Sequence, residues 1–136
     1  MADTKTASLK WRSGTVFEGS VEGKTPLVLD AGGPEGPSPM EALLLALAGC
    51  TGADVVSILT KKRVPLASVV IDVVGERREE HPKRFTAVTL TFRIKAAGLA
   101  EEAARQAIAL SLEKYCSVTH SLARDIGLRH ELVLEA

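Results

Sequence analysis

Between Glu41 and Asp54 the chain carries no charge, reading Ala-Leu-Leu-Leu-Ala-Leu-Ala-Gly-Cys-Thr-Gly-Ala. No other feature narrows the fold as much, because a helix that is apolar on every face has to be buried. The run is preceded by Pro34-Glu35-Gly36-Pro37-Ser38-Pro39, which keeps the backbone extended and out of a helix. Ser38 is placed to cap, Pro39 suits the first helical position, and Glu41 falls in the first turn. The helix is expected to reach Lys61-Lys62-Arg63, where cations suit the negative end of the macrodipole. Its charge-free part is too short to span a bilayer, so the expectation is a central core helix and no membrane partner. In the middle of it sits Cys50, with Asp54 one turn on, about 40° around the axis. A free buried cysteine is usually inert packing. A thiol with a carboxylate beside it is still the first chemical clue.

A chain of 136 residues is expected to form one domain, residues 1–136, burying roughly two thirds of its unfolded surface. Seventeen basic side chains balance seventeen acidic ones, and no basic stripe carries interleaved aromatics, so no nucleic-acid partner is expected. The N-terminal residues do not read as a secretory signal, which points to a cytoplasmic protein with reduced thiols. Two cysteines in that setting are chemical or merely buried, rather than a structural staple.

Around the central helix, Ser8 to Asp30 reads as three short strands, with turns at Ser13-Gly14 and Glu22-Gly23-Lys24. Leu66 to Glu76 and Phe85 to Lys95 alternate as the two long strands of an antiparallel hairpin. Their connection, from Glu76 to Arg84, is densely charged. A solvated tip is the plain reading; the sharper one folds Arg77, Arg78 or Arg84 back over a site to lend positive charge to a thiolate. Leu99 to Tyr115 is an amphipathic helix. Ser117 would cap a second helix over Val118 to Ile126, ended by Gly127, and Leu128 to Leu134 would be a closing strand. Cys116 would thus lie just before a helix N-terminus, a position that lowers a thiol pKa. The order β-β-β-α-β-β-α-α-β, with strands in consecutive runs, predicts an α+β fold with antiparallel sheets. It leaves more apolar strand face than one helix covers, and a tight homodimer is the simplest remedy.

Cys50 and Cys116 are the only residues suited to redox work, and they lack the CxxC spacing of a metal site or a thioredoxin-type couple. His81, His120 and His130 are scattered over three elements, so a zinc site is not expected. No Gly-rich phosphate loop follows a strand, and no cofactor is called for. A Cys–His hydrolase would need a base oriented on the thiol, and only His120 lies near a cysteine in sequence. Two lone cysteines can instead act together: one attacks an O–O bond, becomes a sulfenic acid and condenses with the other.

Ser38-Pro39-Met40-Glu41 with Ala48-Gly49-Cys50, and Glu113-Lys114-Tyr115-Cys116-Ser117-Val118, closely resemble the OsmC/Ohr family of thiol peroxidases. Asp54-Val55-Val56-Ser57 and Glu76-Arg77-Arg78-Glu79-Glu80 resemble one branch of its OsmC-like members. The resemblance implies an intertwined homodimer with active sites at the subunit interface. It implies that Cys50 is peroxidatic and that Cys116 resolves it as a disulfide. It further implies organic hydroperoxides as substrates, dithiol or lipoyl-type reductants, and a part in detoxification under oxidative stress. The chain departs from the family pattern at two points. Met40 stands ten residues before the cysteine, where members carry a glutamate, and the stretch Thr15 to Lys24 has no arginine to pair with one. Arg77 or Arg84, together with Asp54, is then expected to stabilise the thiolate, although an unpaired Asp54 would oppose it. The competing expectations are another cysteine chemistry, or a module that binds a small apolar ligand with the cysteines as packing.

Overall fold

The computed structural model describes residues 2–135. The chain gathers into two compact units, Met1–Leu43 and Leu44–Ala136. In the first, β1 (Ser8–Ser13), β2 (Val16–Ser20) and β3 (Leu27–Asp30) form the expected antiparallel meander, in that order. Gly14 turns β1 into β2 with a φ of +52°, and its carbonyl accepts a 3.0 Å hydrogen bond from Trp11 Nε1.

The Pro/Gly loop after β3 is organised by one carboxylate. Asp30 is buried, and its oxygens accept from the Thr15 hydroxyl and from the amides of Gly32 and Glu35. These donors, Thr15 foremost, hold its pKa below the ordinary carboxylate value. The loop packs so closely that a Cβ on Gly36 would run into the Val28 carbonyl oxygen. It then enters α1 (Pro39–Lys61) through a reciprocal capping box. The Glu41 amide donates to Ser38 Oγ at 3.1 Å, and the Ser38 amide donates to Glu41 Oε1 at 2.9 Å. The Ser38 cap and the Pro39 start therefore stand as read from the sequence.

Two expectations about α1 need correction. The helix has 23 residues and a mean hydropathy of 2.0 over its most apolar 18, so by length and composition it is long enough to cross a bilayer. Nor is it covered all round. Leu47, Val55 and Leu59 are buried on one face, while Leu45, Gly49, Ala53 and Val56 are exposed.

In the second unit, β4 (Leu66–Arg77) and β5 (Phe85–Ala96) form the long antiparallel hairpin. Val88, Leu90, Phe92 and Ile94 of β5 are buried in strict alternation. A bulge at Thr86, where Arg77 pairs with Phe85 and Glu76 with Ala87, shifts the phase so that Phe85 faces inward as well. From Leu44 onward α1 belongs to this unit, with Gly52 against the Ile71 side chain.

The chain continues through α2 (Glu101–Leu110), a π-helical turn (Ser111–Tyr115) and α3 (Ser117–Ser121) into β6 (Gly127–Glu135). The sheet order is β4-β5-β6, and β6 runs parallel to β5. The expectation of purely antiparallel sheets fails at this pair. The helical segment between β5 and β6 is a crossover, and a crossover returns the chain in the same direction. The two helices are also shorter than expected. The first changes to π geometry after Leu110; the second ends at Ser121, so Gly127 opens β6 rather than closing a helix.

Candidate active site

α2 buries Ala104, Ala107 and Ile108, and the same stripe continues at spacings of three and four to Ser111. A hydroxyl fully buried on an apolar stripe needs a partner. Ser111 Oγ finds one on α1, donating to Asp54 Oδ2 at 2.8 Å. From Ser111 the helix widens, and the Cys116 amide reaches back five residues to the Ser111 carbonyl at 2.7 Å. π-turns are rare, occur mostly as single turns inside α-helices, and are frequent at functional sites.

Cys116 follows, fully buried, and is itself the cap of α3: the Thr119 amide donates to its sulfur at 3.3 Å. The cap is therefore one residue earlier than the expected Ser117. The Thr119 hydroxyl is buried without a well-formed hydrogen bond, and it too lies close enough to the sulfur to favour the thiolate.

The expected fall in the Cys116 pKa does not occur. Burial pushes the thiol up, the Thr119 hydroxyl and amide pull it back part of the way, and the neighbouring Cys50 thiol pushes it up again. A five-residue helix supplies one N–H to the sulfur, and desolvation outweighs it. That mutual influence means the fold brings the two cysteines together from distant parts of the chain. Both are free thiols, and Cys50 is the more exposed of the two.

The hairpin arginines are engaged elsewhere within this chain. Arg77 Nε donates to the Lys83 carbonyl at 2.7 Å, and Arg84 pairs with Asp125 at 2.6 Å. Arg78 meets Glu80 at 3.5 Å, so the Glu76–Arg84 connection is largely a solvated tip. Asp54 lies beside Cys50 on α1 as expected, but its carboxylate is directed to Ser111. The His120 ring meets the Glu113 carbonyl at 3.1 Å, and Glu41 is taken up in the capping box.

Sequence reasoning missed Ser111 and Thr119. The signal for Ser111 was available, as a lone hydroxyl in phase with Ala104, Ala107 and Ile108. Asp54 also borders a cleft of about 380 Å³, completed by Ser57, Ile58, Lys61, Leu110 and Tyr115.

Two neighbouring reduced thiols, one partly buried on a long helix and one fully buried at a helix cap, define a scaffold suited to thiol redox chemistry. The family described as OsmC-like protein matches residues 32–131, and the chain belongs to that family. Protein YhfA of Escherichia coli K12 is 38% identical over 125 residues, covering 91% of this chain and 93% of its own. A crystal structure of a hypothetical protein from Aquifex aeolicus has a TM-score of 0.89 at 30% identity, covering 98% of both chains. The organic hydroperoxide resistance protein OhrB of Bacillus subtilis shares the fold at a TM-score of 0.64 and 16% identity, covering 96% of this chain and 98% of its own.

Proposed function

We propose that this chain is a cytoplasmic, cysteine-dependent peroxidase that reduces organic hydroperoxides. The observation that carries the reading is the adjacency of a partly buried Cys50 and a fully buried Cys116 whose proton is held on. That asymmetry suits the two roles. The Cys50 thiolate attacks the O–O bond, forming an S–O bond; the alkoxide leaves and takes a proton to become an alcohol, and Cys50 is left as a sulfenic acid. The Cys116 sulfur then attacks Cys50. Its own proton leaves with the sulfenic hydroxyl as water, and the two cysteines are joined. A dithiol, such as a lipoyl group, reduces the disulfide and is itself oxidised.

We place the chain in a branch of the family without the usual arginine–glutamate pair. Stabilisation of the Cys50 thiolate then falls to Arg77 or Arg84, supplied by a second copy of the chain in a homodimer.

The cleft beside Asp54 supports a second reading, a module that holds a small ligand against Ile58, Leu110 and Tyr115. Titration with a thiol reagent before and after one equivalent of cumene hydroperoxide separates the two. The peroxidase loses both thiols on treatment, and Cys50→Ser retains its remaining one. A binding module shows no peroxide-dependent loss.

A further inference from the structure

We infer that the Asp54–Ser111 hydrogen bond is a positioning device that holds Cys116 ready to close on Cys50. On α1, Cys50 and Asp54 are one helical turn apart and share a face. Across from them, Ser111 and Cys116 are joined by a single π-type hydrogen bond of 2.7 Å, which places them one wide turn apart. Two links therefore join the two turns: the hydrogen bond from Ser111 Oγ to Asp54 Oδ2 at 2.8 Å, and the proximity of the Cys50 and Cys116 thiols. The first fixes the turn that carries the second sulfur.

Immediately beyond Cys116 comes the five-residue α3, too short to hold itself in place, and the chain is next tied down at Asp125 by Arg84 and at β6 by β5. Without the Asp54 anchor, the π-turn would have to be ordered again each time the disulfide forms. With it, that ordering is already in place in the reduced protein, which raises the effective concentration of one thiol at the other. Asp54 and Ser111 touch no substrate in this arrangement; they act through Cys116.

The inference rests on the disulfide of the proposed function, but its test uses no peroxide. The full-length protein is equilibrated against mixtures of reduced and oxidised dithiothreitol, and the Cys50–Cys116 disulfide is measured by mass after alkylation. Ser111→Ala and Asp54→Ala are each expected to lower the effective concentration about tenfold, making the pair easier to reduce by about 30 mV. Asp54→Asn keeps an oxygen acceptor for Ser111 and is expected to stay within about 10 mV of the parent. Should the buried Ser111→Ala variant fail to fold, the comparison of Asp54→Ala with Asp54→Asn decides alone. Parental potentials in the alanine variants would overturn the inference, as would an Asp54→Asn shift equal to that of Asp54→Ala. Absence of any Cys50–Cys116 disulfide in the parent would overturn it too. Consumption of cumene hydroperoxide by the parent is measured separately, so failure as a peroxidase is read independently of failure of the positioning bond.

Discussion

Cys116 shows how burial and local donors compete over one proton. Its sulfur has an amide and a nearby hydroxyl from Thr119 on the side of the thiolate, and both are outweighed by desolvation. Two outcomes follow from the raised pKa. Iodoacetamide at pH 7.5 should label Cys50 well before Cys116, as read by peptide mass mapping; equal labelling would contradict the assigned roles. The second concerns stability. In the unfolded chain the thiol ionises near its free value of roughly 8.5, whereas in the folded protein it holds its proton to higher pH. Its contribution is fully present below that free value and is lost as pH rises through the folded value. The urea midpoint should therefore fall more between pH 8 and 10 in the parent than in Cys116→Ser.

The elements were legible where a local signal was strong and unopposed. The start of α1 could be read because Ser38, Pro39 and Glu41 each have one favoured position, and all three agree. The hairpin could be read because β5 alternates through Val88, Leu90, Phe92 and Ile94. The direction of β6 depends on what the preceding helices pack against, which no residue in β6 encodes. The π-turn was hidden for a similar reason: Ser111 to Tyr115 continues an amphipathic pattern, and the wide turn begins at a serine whose partner, Asp54, lies on another helix. At the site, both cysteines were visible as types, but their adjacency is a tertiary fact. The same distinction guides two substitutions. Ser38→Ala removes a local cap and should cost about 1 kcal/mol in a denaturant titration. Gly36→Ala drives a Cβ into the Val28 carbonyl oxygen, which is backbone and cannot rotate away. It should destabilise more than Ser38→Ala, with a lower melting temperature to match; a neutral outcome would mean that the loop after β3 is free to shift.

At the scale of the whole molecule the unsolved problem is apolar surface. Isolated exposed apolar side chains are ordinary, but a contiguous set is not. Leu45, Gly49 and Ala53 follow one another at intervals of four along α1, all exposed, with Leu45 at 62%. On β4, Val70 and Val74 share the outward face at 46% and 62% exposure. Trp11 in the first unit is 62% exposed, although its indole N–H is already satisfied by Gly14. A second copy of the chain is the partner we propose for these faces, and it would also bring another set of Arg77 and Arg84. Light scattering at micromolar concentration should then give about twice the chain mass of 14.4 kDa. Leu45→Glu and Val74→Glu each place a charge where the proposed interface would desolvate it, and each should shift the protein towards the monomer. The dissociated variants should also lose peroxide-dependent oxidation of Cys50, because the proposed stabilisation of its thiolate by Arg77 or Arg84 comes across the interface from the second copy. A monomeric Val74→Glu variant that reacts with cumene hydroperoxide as fast as the parent would show that Cys50 needs nothing from a second copy.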